Sequence, residues 1–133
     1  MTNIEKVSSF LDEAKTFCLL TTDGDKPKGR PFGFHLVDGD RIYFGCGTFK
    51  NVFKQLTKNP NVEVLALRGS EFLRYDGRAK IVKDAALLDK VRAAMPDIMA
   101  LYDKNGWEMG MFCLEDGHAE IRGILDLKEE FDV

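Results

Sequence analysis

Apolar residues recur along the chain at two different periods, and the places where the period changes mark the elements. Ile4, Val7, Phe10, Leu11 and Ala14 fall on one helical face. Thr2-x-x-Glu5 ahead of them has the spacing of a capping box, so a helix is predicted up to Lys15. Residues 17–22 form a short apolar run of strand character, stopped by the hairpin signal Asp23-Gly24-Asp25. A second strand is predicted over 29–37, closed by Asp38-Gly39-Asp40, and a third over 41–45. These read as three consecutive antiparallel strands joined by tight turns.

The helical period returns at Phe49, Val52, Phe53 and Leu56, with Lys50, Lys54 and Lys58 outside that stripe. Asn59-Pro60 ends this helix, because the residue before a proline avoids helical geometry. Strands are predicted over 61–68 and 71–82, the second with a bend or bulge at Asp76-Gly77. Asp84 caps a helix that carries Leu87, Leu88, Val91 and Met95. Pro96 ends or kinks it, and a short helical segment follows over 98–102. Residues 109–114 and 118–127 are predicted to pair as a last hairpin around Glu115-Asp116-Gly117, leaving 128–133 as an exposed acidic tail. The pattern therefore predicts a mainly β chain with helices (α+β), built as a small barrel of six or seven antiparallel strands. Tight turns exclude a parallel Rossmann sheet, which needs long crossovers.

Composition narrows the class. A chain of 133 residues is expected to form one domain over 1–133. Ten Phe and 44% hydrophobic residues disfavour disorder. No run approaches the roughly 18 apolar residues of a membrane span, and the first residues show no signal-peptide pattern, so neither a membrane nor an export route is expected. The net charge of −3 argues against nucleic acid as a partner. Cys18, Cys46 and Cys113 are odd in number and widely spaced, which suits neither a disulfide framework nor zinc. A reducing cytoplasm and no metal are the expectation.

Nucleotide-loop, nucleophile-elbow and zinc-protease motifs are absent, and His35 and His118 are the only histidines. No catalytic residue can be assigned from the sequence. One stretch stands out: Gly45-Cys46-Gly47-Thr48-Phe49-Lys50-Asn51, between a predicted strand and a predicted helix. Glycines let a ligand approach the backbone, and a helix N-terminus favours an anion. Thr48 either caps the helix or donates its hydroxyl to that anion. Lys50 opposes the helix dipole unless an anion is bound. The plain alternative is a capped helix start with a solvated lysine. A second stretch is Arg30-Pro31-Phe32-Gly33-Phe34-His35, where strand alternation puts Arg30, Phe32 and Phe34 on one face. Arg30 is either a forked phosphate ligand or a strand-end arginine in water. Trp107, the only tryptophan, covers a ligand or an interface, or anchors a loop.

Taken in order, these motifs resemble the pyridoxamine 5′-phosphate oxidase-like family, the FMN-binding split barrels. The resemblance runs through Arg30-Pro31, the Asp38 to Gly45 hairpin, Thr48-Phe49-Lys50, the run from Gln55 to Val64, and Arg74 to Ala79. It covers nearly the whole chain and is closest to short bacterial nitroimidazole-reductase-like proteins. It implies a split antiparallel barrel that forms a homodimer, with FMN in a groove between subunits and a small molecule as substrate. Arg30, Pro31 and Phe32 would line the flavin, and Gly45, Cys46 and Gly47 would admit its ribityl chain. Thr48, Lys50 and Asn51 would hold the phosphate. Phe72 and Trp107 would stand near the flavin, either one from the partner subunit. The resemblance implies an FMN-dependent oxidoreductase, or alternatively a non-catalytic flavin- or haem-binding sensor or storage protein. It departs from the oxidase that makes pyridoxal phosphate, whose C-terminal Arg and His pattern is missing. A histidine common in nitroimidazole reductases is replaced here by Gly45 or Cys46.

Overall fold

In a computed structural model, which describes all 133 residues, the chain folds as four helices and eight strands. Helix α1 (Asn3–Ala14) is N-capped by Thr2, whose hydroxyl accepts from the Glu5 N–H at 3.1 Å. It buries Val7, Phe10 and Leu11, as the spacing predicts. Strand β1 (Phe17–Asp23) turns at Gly24, φ +64°, into β2 (Lys26–Phe32). The strands β3 (Leu36–Asp38) and β4 (Arg41–Gly47) form a second hairpin, followed by α2 (Asn51–Lys58). Then come β5 (Asn61–Arg68), β6 (Glu71–Val82), α3 (Ala85–Ala94), α4 (Pro96–Asn105), β7 (Met109–Arg122) and β8 (Leu127–Asp132).

All pairings are antiparallel, in the order β2-β1-β5-β6-β7-β4-β3, with β8 also on β7. The sheet does not close on itself, which makes it a split barrel, mainly β with helices. That fold class agrees with the sequence; the strand count and part of the connectivity do not. The single strand expected over 29–37 breaks at Gly33-Phe34-His35. Its first part, β2, pairs with β1 at one end of the order, and its second, β3, pairs with β4 at the other. The three hairpin strands are therefore not consecutive neighbours. Pro27 and Pro31 lack ladder donors, which fits β2 to an edge of the sheet.

The hairpin expected at Glu115-Asp116-Gly117 is instead a bulge within a continuous β7. Asp76 pairs with His118 and Arg78 with Glu115, so β7 carries an extra residue opposite Gly77. A Cβ on Gly77 would lie 2.8 Å from the Glu115 carbonyl oxygen, so the bulge requires glycine there. Uninterrupted, β7 pairs with β4 through its first half and with β8 through its second. The real turn comes over 123–126, where the Gly123 N–H donates to the Asp126 carbonyl at 2.9 Å. The expected tail is thus strand β8, although its side chains are mostly exposed, as anticipated. The helix expected over 98–102 runs from Pro96 to Asn105, with the proline at its first turn, where no N–H is needed.

Two apolar clusters hold the fold. The larger packs α1 and α2 against the barrel interior through Phe10, Phe17, Phe44, Leu56, Leu73 and Phe112, among others. Each such side chain contributes about 1.5–3 kcal/mol when fully buried. The smaller joins Leu87 and Val91 of α3 and Met99 and Tyr102 of α4 to Met109 and Met111 of β7.

Candidate functional site

A groove of about 780 Å³ opens where the two clusters meet. One wall is the end of β2 and the break after it, Arg30 to Phe34. The floor is Gly45 and Cys46 of β4, and the far wall is α4 with Trp107 and Met109. Of its sixteen lining residues, Arg30 and Lys50 are the only charged ones, and both are cationic. The volume lies within the range of small-molecule and cofactor sites.

Arg30 is held from three sides. Its Nη1 donates to the Thr21 hydroxyl at 2.7 Å and to the Leu19 and Lys28 carbonyls at 3.2 Å, and its Nη2 donates to Gln55 Oε1 at 2.8 Å. The guanidinium therefore bridges β1, β2 and α2. Burial lowers its pKa from the ordinary arginine value, yet arginine stays charged at any physiological pH. Lys50 is the N-cap residue of α2 but makes no side-chain capping bond, leaving its ammonium exposed at the groove.

An aromatic cluster forms the opposite wall. The Phe49 and Trp107 rings are 5.0 Å apart, Tyr102 and Trp107 stand edge to face at 5.6 Å, and Phe49 and Tyr102 are 6.2 Å apart. Trp107 remains 41% exposed and Phe49 44%. Neither thiol nor phenol is poised for proton transfer at neutral pH. Burial pushes the Cys46 thiol up to about 11 despite nearby Lys50 and Arg30. Burial also raises Tyr102, with a smaller contribution from Cys46. A protonated thiol is a poor nucleophile.

The structure brings together Arg30, Pro31, Phe32, Gly45, Cys46, Lys50 and Trp107, seven of the residues singled out in the sequence. Gly47 adjoins them at the end of β4, but a Cβ there would lie 2.6 Å from the Phe49 ring, so its own chain explains the glycine. The same holds for Gly45, where a Cβ would meet Met111 Sδ at 2.9 Å. Thr48 does not cap α2. Its N–H donates to the Glu108 carbonyl at 3.0 Å, and it lines a separate cavity with Phe53, Leu88 and Met111. Asn51 opens on a neighbouring polar cleft with Thr22, Lys54 and Lys58. Phe72 lies at the start of β6, paired with Leu67 and Arg122, and does not line the groove of its own chain.

Sequence reasoning missed Tyr102, Met95 and Met109 as lining residues, because helix and strand periodicity mark them only as core. Gly33 reads in the sequence as room for something flat. It lines the groove, and a Cβ there would meet nothing within 4 Å, so packing does not require the glycine. Neither histidine reaches the groove. His35 Nε2 is 2.8 Å from Ser8 Oγ and 3.5 Å from Asp12 Oδ1. His118 lies on the outer β7–β8 surface with Glu120 and Glu130, their ligating atoms within 4.8 Å of one another. His118 pairs there with Glu130 and with Asp132, and Glu120 pairs with Arg122.

The fold recurs among solved structures. A NimC/NimA family protein of Clostridium acetobutylicum superposes with a TM-score of 0.89 at 24% identity, covering 100% of this chain and 95% of that one. General Stress Protein 26 of Bacillus anthracis superposes at 0.69 with 19% identity, covering 100% of both chains. A heme binding protein of Mycobacterium smegmatis gives 0.72 at 11% identity, covering 99% of this chain and 58% of that one. At these identities the likeness is one of fold. No curated protein matches the sequence. The family profile described as pyridoxamine 5′-phosphate oxidase matches residues 4–119, and the chain belongs to that family.

Proposed function

We propose that this protein is an FMN-dependent oxidoreductase acting on a small molecule, working as a homodimer with the flavin at the subunit interface. The observation that carries this reading is the charge layout of the groove: two cations, no acid, and otherwise mainly apolar and aromatic walls. A planar apolar ring with an anionic tail fits such a layout. Gly33, whose bareness nothing in the chain demands, keeps the wall clear for it. When bound, FMN supplies hydride and electron transfer.

The chain's own residues bind and orient. Arg30 and Lys50 neutralise the phosphate, with Arg30 fixed in advance by Gln55 and Thr21. Phe49, Tyr102 and Trp107 offer flat faces to a ring and exclude water from it. Cys46 stays a neutral, apolar floor. The outer face of strands β1 and β5 supports the dimer, since Leu67 on β5 is 67% exposed and Cys18 on β1 is also exposed.

The lack, within the groove, of a thiol or phenol poised to move protons near neutral pH favours a second reading, a flavin- or haem-holding protein without turnover. One experiment tests both. The protein is purified gently, its visible spectrum recorded and heat-released material identified, and turnover is assayed with a reduced nicotinamide and an electron acceptor. A flavin spectrum near one FMN per chain with turnover supports the oxidoreductase. A flavin or haem spectrum without turnover supports the holder. A colourless protein that takes up neither removes both.

A further inference from the structure

Strand pairing lays two lines of charge across the outer face of the sheet. Glu63, Asp76, His118 and Asp132 are successive partners across β5, β6, β7 and β8. Two residues along, Arg74, Glu120 and Glu130 are partners across β6, β7 and β8. Side chains two apart on a strand share a face, so His118 and Glu120 stand together, opposite Asp132 and Glu130. The other face of these strands belongs to the core, through Ala119 and Ile121 of β7 and Phe131 of β8. Like charges directly opposite one another destabilise a strand pair, and Glu120 against Glu130 is such a pair. Arg122 offsets it from one side, where its Nε donates to Glu120 Oε2 at 2.7 Å. Glu130 and Asp132 have no lysine or arginine partner; His118 is the one base that either meets.

The imidazole is already oriented for a metal. Asp132 Oδ1 lies 3.0 Å from Nδ1, and an ionised carboxylate only accepts, so Nδ1 carries a proton. The other ring nitrogen, Nε2, faces Glu130 Oε2 at 3.3 Å. That separation matches the edge of a tetrahedron around an ion with bonds of about 2.0–2.1 Å. A ring nitrogen and one oxygen from each of Glu120 and Glu130 already lie within 4.8 Å of one another, so small side-chain rotations bring all three to one centre. A carboxylate on one ring nitrogen and a metal on the other is the usual setting of a metal-bound histidine.

We propose that His118 Nε2, Glu120 and Glu130 bind one divalent transition-metal ion, with Asp132 holding the ring through Nδ1. One nitrogen and two carboxylates suit zinc or a neighbouring first-row ion, whereas magnesium and calcium take oxygen ligands. The ion relieves the repulsion between Glu120 and Glu130. It also fastens β8, whose one strand partner is β7. None of the three ligands lines the groove, so the site stands apart from the flavin reading. The sequence leads to the opposite expectation, no metal, because it reads residues 128–133 as a tail, and His118 meets Glu130 only through the β7–β8 pairing.

The test uses the untagged full chain, stripped with a chelator, and titrates it with Zn²⁺ by calorimetry beside His118→Gln and Glu130→Gln. Both side chains are well exposed, so neither change unfolds the protein, and circular dichroism checks this. The expected result is one Zn²⁺ per parent chain, with affinity lowered about tenfold or more by each substitution. The parent's thermal midpoint should rise with added zinc, and that of His118→Gln should not. Absence of saturable binding overturns the proposal, as does zinc binding that either variant keeps at parental strength. Co²⁺ gives an independent reading of the ligands. Visible d–d bands alone support nitrogen and oxygen ligation, whereas a sulfur-to-cobalt charge-transfer band assigns the ion to a cysteine and overturns the site. Asp132→Ala should lower zinc affinity about tenfold, and Asp132→Asn, whose amide oxygen still accepts from Nδ1, should restore most of it. Parental affinity in Asp132→Ala would overturn its positioning role.

Discussion

Arg30 Nη2 donates to Gln55 Oε1 at 2.8 Å, joining the edge strand β2 to helix α2. The same oxygen accepts from the Thr21 hydroxyl at 2.7 Å, and Thr21 in turn accepts from Arg30 Nη1 at 2.7 Å. Three side chains thus close a ring of hydrogen bonds beside the groove, with Thr21 2% exposed. This ring holds the guanidinium in place before any anion arrives, and it ties the two cationic residues of the groove to one helix.

Gln55→Leu therefore has two expected effects. It leaves the buried Thr21 hydroxyl and one Arg30 N–H without their acceptor, which costs about 1–3 kcal/mol of stability. It also frees Arg30 to wander, so FMN affinity falls further than stability alone predicts. Urea denaturation measures the first effect and FMN titration the second. An unchanged unfolding midpoint would show that the ring is not maintained in solution.

Lys50→Ala separates binding from folding. The side chain is exposed and makes no capping bond, so its loss leaves the apo protein's stability within about 0.5 kcal/mol of the parent. A lost charge-assisted contact to a phosphate costs about 1.5–3 kcal/mol of affinity, roughly tenfold or more. Fluorescence titration with FMN, beside riboflavin as the phosphate-free control, reads this out. The variant should bind FMN and riboflavin with more nearly equal strength. Equal FMN affinity in variant and parent would remove Lys50 from the site.

The legible parts of this fold are those that local signals control. The Thr2 cap, the α2 stop at Asn59-Pro60, the glycine turns and the bulge at Gly77 are all written within a few residues. The illegible parts depend on what lies across the sheet. Residues 29–37 alternate as one strand would, and only the pairing of β2 with β1 and of β3 with β4 breaks them at Gly33. Asp116-Gly117 has the chemistry of a hairpin turn, but long partners on both sides of β7 turn it into a bulge. The site divides in the same way. Arg30, Lys50 and Cys46 stand in unusual local sequence and could be picked out. Tyr102 and Met109 look like ordinary core residues until α4 is packed beside β4. Thr48 has the chemistry of a cap, but the helix starts at Asn51, too late to use it.

His35 makes stability depend on pH. Its side chain is 10% exposed, and burial lowers its pKa from the ordinary histidine value, with Asp12 opposing that shift. The folded state therefore disfavours the charged imidazole. The stability this contributes is fully present above the unfolded-state pKa of about 6.5 and is lost as pH falls through the folded-state value. His118 is shifted the other way, raised by its bonds to Asp132 and Glu130, so its contribution is present at low pH and lost as pH rises. That group is on the surface, and solvent and salt screen it. Denaturation midpoints between pH 5 and 7 should fall toward acid in the parent. They should flatten in His35→Gln, which can still bond Ser8. An acid slope that survives in His35→Gln would assign it to carboxylates instead.

Two glycines near the groove predict opposite outcomes for the same substitution. A Cβ on Gly110 would press into the Phe53 ring closer than van der Waals contact allows, and Phe53 belongs to α2. Gly110→Ala must displace that ring or the helix, a form of overpacking that costs about 1–3 kcal/mol. Gly33 has no positive φ, and a Cβ there meets nothing within 4 Å, yet it lines the groove. Gly33→Ala should leave stability unchanged or slightly raised, because alanine restricts the unfolded chain more than glycine does. Gly33→Leu adds bulk beside the groove, and FMN uptake should fall while the apo protein's thermal midpoint holds. Measuring the three variants by thermal denaturation and FMN titration separates packing at Gly110 from binding at Gly33. A Gly33→Leu protein that binds FMN as tightly as the parent would mean that the flavin does not lie against this wall, and the ring would have to be sought nearer α4.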